Sequence, residues 1–269
     1  MAIRIGALIS GGGTNLQAII DACEKNTIDA QISVVGSDNP SAKGLGRAER
    51  HSIPSFVVDY GRIIRAVKKD PHSVPLPSGV DLDRLAQRQT LVSTQEDPEG
   101  LIRFLRSRVA AEAALIEQLE PYDVDLVVLA GFMRNLTPFF IDHFNTEPSR
   151  PRIMNIHPAL LPSFPGVDGY GDTFRYGCKL GGCTVHFIDY GEDSGPIIGQ
   201  RAFAIEEGDT LADIQKKGLA LEWELYPQCI QWFAEDRLRT VTLTHGAINH
   251  DTPGRGTRQR TGVKIAQPG

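Results

Sequence analysis

Apolar runs of strand length alternate along this chain with longer segments in which apolar residues recur every three or four positions. The short runs are bounded by turn-forming residues, which is typical of β-strands, and the longer ones are typical of amphipathic helices. The alternation predicts an α/β fold, doubly wound around a mostly parallel sheet. Strands are predicted near 3–9, 32–37, 55–59, 125–131, 152–158 and 182–188, and helices near 15–24, 42–51, 99–120 and 210–235.

Two stretches interrupt this alternation. Residues from 61 to about 100 are rich in charge and proline, and we interpret them as an insertion with one or two short helices. The stretch after about residue 245 is polar, basic and poor in large apolar residues, so it is predicted to be extended or mobile. The predicted organisation is a single domain over 1–245, with an insertion at about 61–100 and a tail over 246–269.

Composition narrows the class of protein. A chain of 269 residues of which 41% are hydrophobic can form the core of one large domain. The net charge of -5 argues against an extended nucleic-acid surface but is compatible with a local anion pocket. The N-terminus lacks the pattern of a secretory leader and no run is long enough to span a membrane, so we expect a soluble, cytoplasmic protein without membrane partners. Four scattered cysteines fit a reducing compartment.

Cys178, Cys183 and His186 are candidate metal ligands. They lack the paired C-x-x-C spacing of a zinc site, and they supply three ligands where structural zinc takes four. We therefore predict no metal.

The segment ALISGGGTNLQAII places glycines between a predicted strand and a predicted helix. Unpaired N–H groups at a helix start, together with the positive end of the helix dipole, favour phosphate binding. With Gly11 and Gly13 as the first pair, a dinucleotide fingerprint requires a third glycine where Leu16 stands, and no lysine follows as in a nucleotide triphosphate loop. Two interpretations remain: a tight turn in which Asn15 caps the helix, or a monophosphate site formed by Gly12, Gly13, Thr14 and Asn15.

The segment RIMNIHPALLPSFPG places two polar residues in a predicted core strand. The two-residue period puts Asn155 and His157 on one face and Met154 and Ile156 on the other. Ligands of open α/β sheets bind beyond the carboxyl ends of the strands, so this pair is expected to face the same crevice as the glycine loop. A histidine at a strand end is commonly structural. Beside a neutral amide, it can also polarise a carbonyl group and stabilise an oxyanion.

The segment GGCTVHFIDYGEDSGPIIGQ joins a predicted strand to a second apolar strand through an acidic loop. Asp189, Glu192 and Asp193 have the composition of a solvated turn. If the loop closes over the crevice, an ionised Asp193 is expected to raise the pKa of His157 and keep it protonated. Asn155, His157 and Asp193 would then form one catalytic group.

Five segments resemble the glycinamide ribonucleotide formyltransferases, which are folate-dependent enzymes of purine synthesis. The resemblance covers most of residues 3–60 and 100–245 in the same order. It implies a single-domain, Rossmann-like fold and transfer of a formyl group from 10-formyltetrahydrofolate to the primary amine of glycinamide ribonucleotide. We expect these small molecules as partners and a monomer or homodimer. The segments are LISGGGTNLQAIIDAC, DLVVLAGFMRNL, RIMNIHPALLPSFPG, GCTVHFIDYGEDSGPII and EWELYPQCIQWFAEDRL.

The resemblance also implies roles for particular residues. The catalytic residues of the family match Asn155, His157 and Asp193. The residues that bind the amine substrate match Gly12, Gly13, Thr14, Asn15 and Glu222, the last of which contacts the ribose. The folate-binding residues, whose contacts are largely through the backbone, match Arg108, Met133, Arg134, Leu136, Asp189 and Tyr190. A family histidine that matches His186 is interpreted as mainly structural.

The chain departs from the family pattern after LLPSFPG, where a histidine-containing stretch is replaced by VDGYGDTFRYG with Asp168, Tyr170 and Asp172. This stretch is expected where amine and folate meet, so it bears on which amine is used.

Three alternative functions stay open: a formyltransferase for another phosphorylated amine or amino sugar, a formyltetrahydrofolate hydrolase, and a non-catalytic binding protein on the same scaffold. The insertion, longer than the family connection, could be a lid, an oligomer contact or plain surface.

Overall fold

The structure is a computed structural model that describes residues 2–91, 97–245 and 258–266. Its centre is a seven-stranded sheet formed by β1 (Ile3–Ile9), β2 (Ala30–Ser37), β3 (Ser55–Val57), β4 (Leu126–Leu129), β5 (Ile153–His157), β6 (Leu180–Phe187) and β7 (Ile197–Ala204). The strands lie in the order β3-β2-β1-β4-β5-β6-β7. The pairs among β1 to β5 are parallel, and β5-β6 and β6-β7 are antiparallel. The predicted mostly parallel sheet is confirmed.

Helices cover both faces of this sheet. They are α1 (Thr14–Glu24), α2 (Leu45–Arg50), α3 (Tyr60–Lys69), α4 (Leu82–Arg88), α5 (Pro98–Leu119), α6 (Pro138–Phe144), α7 (Gly169–Tyr176) and α8 (Leu211–Ala234). One apolar cluster contains Leu16 of α1, Tyr226 of α8 and Ala7 of β1. A second cluster contains Leu115 of α5 and Leu8 of β1. Because neighbouring residues of β1 belong to different clusters, this strand is covered on both faces, as the doubly wound prediction requires.

Each predicted strand and helix is present within a few residues of its predicted position, but α6 and α7 were not predicted. Helix α6 has seven residues, too few for a helical period to show, and begins at Pro138 after Thr137, whose side chain accepts from the N–H of Phe139. Helix α7 includes Gly169 and Gly171, which indicated a loop. This helix is stabilised by the packing of its buried residues more than by intrinsic helix propensity.

The described part of the inserted segment contains two short helices, as predicted. Helix α3 follows Asp59, whose carboxylate accepts from the N–H of Arg62, and α4 follows Asp81, whose carboxylate accepts from the N–H of Arg84. An apolar cluster joins α4 to α5 and consists of Leu85, Ala86, Leu101, Leu105 and Val109. The segment therefore packs against the body of the fold.

Two further strands form a separate sheet, in which β8 (Leu238–His245) pairs antiparallel with β9 (Arg258–Ile265). Strand β9 falls in the tail, where no paired strand was predicted because the segment has few large apolar residues. The rest of the tail, 246–257 and 267–269, lies outside the described residues. Within the described ranges, no helix is both long and apolar enough to cross a membrane.

Candidate active site

A cavity of about 380 Å³ opens at the carboxyl ends of β4 and β5, beside the start of α1, where a sheet of this type is expected to bind its ligand. The predicted site residues that line it are Asn15, Met133, Arg134, Leu136, Asn155, His157, Asp189, Asp193 and Glu222. The predicted site residues outside its lining are Gly12, Gly13, Thr14, Arg108 and Tyr190. The fold therefore brings most, but not all, of the predicted residues to one cavity.

Asn155 and His157 share the cavity face of β5, as the two-residue period predicted. Met154 and Ile156 belong to an apolar cluster, and Ile156 also contributes to the cavity lining. The loop after β6 brings Asp193 to this strand, with Oδ2 3.1 Å from Nδ1 of His157. The three residues are therefore together, and the acidic loop closes over the crevice as expected.

The His157 imidazole lies between two oxygen atoms. Its Nδ1 faces Asp193, and its Nε2 lies 2.7 Å from the carbonyl oxygen of Phe164. Phe164 and Asp193 both have left-handed backbones, with φ of 54° and 47°, which are uncommon outside glycine. Asp193 also accepts a hydrogen bond from the N–H of Gly166 at 2.8 Å. The two loops therefore place one acceptor beside each imidazole nitrogen.

Burial lowers the pKa of His157 below its ordinary value, although the Asp193 carboxylate and the Phe164 carbonyl oppose this shift. The prediction that Asp193 keeps His157 protonated is therefore wrong. Asp193 acts in the predicted direction, but desolvation of the imidazole is the larger effect. At Asp193, burial acts to raise the pKa, and contacts with His186, His157 and the N–H of Gly166 outweigh it, so its pKa is lowered. Burial therefore favours the neutral form of the imidazole, and the contacts of Asp193 favour its carboxylate form.

A second histidine orients Asn155. His186 is fully buried, and its Nδ1 lies 2.9 Å from the carbonyl oxygen of Phe187. Nε2 of His186 lies 3.2 Å from Nδ2 of Asn155 and 3.6 Å from Oδ1 of Asp193, so this imidazole contacts both residues. Asn155 Nδ2 carries two hydrogens, one of which is free for a ligand in the cavity.

The glycine loop joins β1 to α1. Gly13 is the N-cap residue of α1 with φ of 69°, and no side chain caps this helix. The interpretation in which Asn15 caps the helix is therefore wrong. Gly12 and Thr14 are exposed, so the start of α1 is open to a ligand. Arg47 of α2 donates through Nε to the Gly12 carbonyl at 2.8 Å, which places beside the loop a cation that the sequence did not indicate, because helical arginines commonly face solvent.

A buried carboxylate lies next to the glycine loop. Glu222 of α8 accepts hydrogen bonds from Asn15 Nδ2 and from the Tyr170 hydroxyl, both at 2.6 Å. Burial raises the pKa of Glu222, and these two hydrogen bonds oppose that shift. Asn15 Oδ1 is buried without a hydrogen-bond partner in the described part of the chain. That oxygen is available to a ligand, and Tyr170, which the sequence placed in the stretch that bears on the amine, lines the cavity.

Positive charge lies at another part of the cavity wall. Arg134 lines the cavity, and its Nε lies 2.5 Å from Oδ2 of Asp38. Arg108 lies nearby but outside the lining, and the guanidinium carbons of both arginines are 5.6 Å from the centroid of the Tyr60 ring. Burial lowers the pKa of Arg108. Nε and Nη1 of Arg108, Oδ1 of Asp38 and the Tyr60 hydroxyl are buried without hydrogen-bond partners among the described residues. Because such groups typically cost about 1–3 kcal/mol each, the cluster is suited to a polar ligand.

The Tyr190 side chain points away from the cavity. Its hydroxyl group donates to Oδ1 of Asp142 and accepts from Nη2 of Arg88, each at 2.6 Å. Asp189, its neighbour, does line the cavity, and its Oδ1 accepts from Ser194 Oγ at 2.6 Å. Tyr190 therefore lies outside the cavity lining, between Asp189 and Gly191, which both belong to it.

Within the described ranges, no group of three or more histidine, cysteine, aspartate or glutamate residues is placed to hold a metal ion. Cys183 packs in an apolar cluster, whereas His186 contacts Asn155, because residues three apart on a strand face opposite sides. Cys183 and the other three cysteines are free thiols.

Known proteins resemble this chain over most of its length. Residues 3–230 match the family described as "Formyl transferase". The phosphoribosylglycinamide formyltransferase of Bacillus subtilis is 33% identical over 228 residues, which cover 85% of this chain and 93% of that protein. The enzyme of the same name from Escherichia coli is 34% identical over 237 residues, which cover 88% and 90%. The crystal structure of glycinamide ribonucleotide transformylase 1 from Symbiobacterium toebii matches with a TM-score of 0.70 at 36% identity, over 99% of this chain and 95% of that one.

Proposed function

The chain belongs to the formyl transferase family, and on that premise we propose that it transfers a formyl group from 10-formyltetrahydrofolate to the primary amine of glycinamide ribonucleotide, in purine synthesis. The relatives that carry this activity in their names align with most of the chain at about one-third identity. The observation that carries the proposal is the contact between His157 and Asp193 beside Asn155, inside one cavity. The folate is a co-substrate, and the reaction needs no metal.

The glycine loop and α8 are the proposed site of the phosphorylated amine. The open start of α1 at Gly12, Gly13 and Thr14 offers backbone N–H groups and the positive end of a helix dipole to the phosphate. The ribose hydroxyls lie at Glu222 and at the unpartnered oxygen of Asn15. This arrangement leads from the loop into the cavity and directs the amine toward His157.

The wall that carries Arg134 is the proposed folate site. Met133, Leu136 and Asp189 line the same part of the cavity and offer apolar surface and backbone groups to the ring system. The folate carries carboxylates, and the charge of Arg134 together with the unpartnered Nε and Nη1 of Arg108 supports binding of such an anion. Tyr190 lies between Asp189 and Gly191, which both line the cavity.

The proposed reaction begins with attack of the amine nitrogen on the formyl carbon. The formyl oxygen gains negative charge, and the free hydrogen on Asn155 Nδ2 donates to it. His157, neutral because it is buried, accepts the proton from the attacking nitrogen and passes it to N10 of the folate as the bond from the formyl carbon to N10 breaks. Asp193 accepts the hydrogen bond from Nδ1 of His157. Nε2 is then the nitrogen that contacts the substrate, which replaces the Phe164 carbonyl as its partner. Asp193 stabilises the imidazolium while it carries the proton.

An assay with 10-formyltetrahydrofolate, in the presence and absence of glycinamide ribonucleotide, tests the proposal through the release of tetrahydrofolate. Turnover that depends on the amine is the expected result. Turnover in its absence would instead indicate a formyltetrahydrofolate hydrolase. If neither condition gives turnover, a panel of phosphorylated amines and amino sugars separates a different acceptor from a non-catalytic binding protein.

Thr14→Ala is expected to raise the KM for the phosphorylated amine about tenfold and to leave the KM for its dephosphorylated analogue unchanged. The reason is that a hydrogen bond to a charged group is typically worth about 1.5–3 kcal/mol. Steady-state kinetics with both amines provide the measurement. Thr27→Ala is the matched control, because Thr27 bonds the Ala22 carbonyl at the other end of α1. An equal effect on both amines would argue against a phosphate at Thr14.

Tyr170→Phe is expected to raise the KM for the amine about threefold to tenfold without changing the KM for the folate. The substitution removes one of the two hydrogen bonds that oppose burial at Glu222, so the pKa of Glu222 rises further and the defect grows as the pH falls. Kinetics at several pH values measure both effects. Tyr176→Phe is the control, since that side chain lies on the surface at the end of the same helix. A defect confined to the folate would refute this role.

The proposal extends to assembly and location. It describes one formyltransferase domain over residues 1–245, with the insertion at about 61–100, acting in the cytoplasm as a monomer or homodimer without nucleic-acid or membrane partners. The net charge of -5 and the four free thiols support this part of the proposal.

A further inference from the structure

The end of the inserted segment contacts the loop that carries Asp193. Arg88, the last residue of α4, donates from Nη1 to Oδ2 of Asp142 at 2.6 Å and from Nη2 to Oδ1 at 3.0 Å. The same Nη2 donates to the Tyr190 hydroxyl at 2.6 Å, and the Arg88 guanidinium carbon lies 4.9 Å from the centre of the Tyr190 ring. One arginine therefore joins the insertion, α6 and the acidic loop.

A second contact lies two residues further along the insertion. The N–H of Thr90 donates to the Tyr190 carbonyl at 2.9 Å, and the Thr90 hydroxyl donates to the same oxygen at 3.3 Å. Thr90 also packs against Gly191, where an added Cβ would lie 2.8 Å from Thr90 Oγ1. Tyr190 is thus held at both its side chain and its backbone by residues of the insertion.

The segment that these contacts hold is the wall of the cavity. Asp189, Gly191, Glu192 and Asp193 all line it, on either side of Tyr190 in the chain. Asp193 has a left-handed backbone, which is costly for an aspartate and persists only where its surroundings hold it. The contacts at Tyr190 supply such a restraint three residues away.

We infer that Arg88 and Thr90 of the insertion are positioning residues, which hold the loop from Asp189 to Asp193 in the shape that binds folate and places Asp193 against His157. The expected changes in kinetics rest on the proposed function, whereas the expected change in the structure of the loop does not. An exposed ion pair contributes little to stability by itself. The Arg88 contacts act instead on geometry, and displacement of a reacting group by about 1 Å can lower a rate about 100-fold.

Hydrogen–deuterium exchange and kinetics of Arg88→Ala test the inference. Amide exchange in a peptide covering residues 189–195 is expected to be at least tenfold faster than in the unmodified protein. The KM for 10-formyltetrahydrofolate is expected to rise about tenfold, and kcat to fall, while the KM for the amine stays unchanged. Arg88→Lys keeps the charge but loses the planar pair of donors, so an intermediate effect is expected.

Arg103→Ala is the matched control, because Arg103 makes an exposed pair with Glu99 at 3.4 Å on α5 and does not contact the loop. It is expected to change neither exchange at 189–195 nor kinetics. Tyr190→Phe, which keeps the ring and removes only the bridging hydroxyl, serves as a second variant if Arg88→Ala unfolds, and a faster exchange at 189–195 is again expected. Thermal unfolding of each variant identifies a general loss of stability.

The outcomes separate this inference from the proposed function. If the unmodified protein transfers no formyl group, the proposed function fails, and the exchange measurement still decides whether the insertion holds the loop. If the unmodified protein is active and Arg88→Ala and Tyr190→Phe both show unchanged exchange at 189–195, the inference is overturned. Faster exchange in these variants but not in Arg103→Ala supports it.

Discussion

Replacement of His157 by alanine is expected to lower kcat for formyl transfer about 100- to 1000-fold, with a much smaller change in either KM. The imidazole is the group that carries the proton from the amine to N10, and loss of such a group typically costs a factor of this size. The two acceptors around His157, Asp193 Oδ2 and the Phe164 carbonyl, lose their partner at the same time. Steady-state kinetics at saturating concentrations of both substrates provide the measurement.

His143→Ala is the control for this experiment. His143 lies on α6, is partly exposed, and its Nε2 lies 3.7 Å from Oε1 of Glu120. It is expected to keep normal kcat. Thermal unfolding shows whether His157→Ala still folds. A folded His157→Ala protein with near-normal kcat would remove His157 from the mechanism.

Asp193→Asn is expected to reduce kcat/KM about 100-fold and to change its dependence on pH. The rate requires a neutral His157, so kcat/KM of the unmodified protein should rise with pH through the lowered pKa of His157, below about pH 6.5. The Asp193 carboxylate acts to raise that pKa. Its removal therefore lowers the pKa of His157 further and moves the acidic limb of the profile to lower pH.

Profiles of kcat/KM against pH for both proteins measure the shift. Asparagine keeps an oxygen that can accept from the N–H of Gly166, so the loop retains that contact while the charge is lost. An acidic limb that moves to higher pH would mean that Asp193 does not stabilise the imidazolium. A rate that falls with rising pH between pH 5 and 7 would mean that His157 acts in its charged form, as the sequence alone suggested.

The sheet and the residues at the carboxyl ends of its strands were predictable from local patterns. Strands such as Leu126–Leu129 are continuous apolar runs, and the runs are separated by helical periods, so their positions and their parallel arrangement follow from the sequence. Asn155 and His157 share a face because side chains alternate along a strand. Their meeting with Asp193 was expected only if the acidic loop closes over the crevice, which the contact between Asp193 and His157 shows.

Other parts of the site depend on packing between distant segments. Asn15 has the sequence context of a helix cap, yet its amide bonds Glu222, which is far along the chain. Tyr190 lies in a motif that indicates folate binding, yet its ring turns toward Arg88. The insertion had no interpretable periodicity beyond its short helices, so its contact with the acidic loop could not be predicted.

The sequence by itself determined the fold class, the family and the residue types gathered at the cavity, because strand period, helix period and motif order are local properties of the chain. Only the tertiary structure decided the balance of burial and charge at His157, the partners of Glu222 and the support of the acidic loop. A pKa depends on the balance between burial and neighbouring charges, and a hydrogen bond on distances of a few tenths of an ångström. Neither quantity is defined until segments far apart in the chain have packed together.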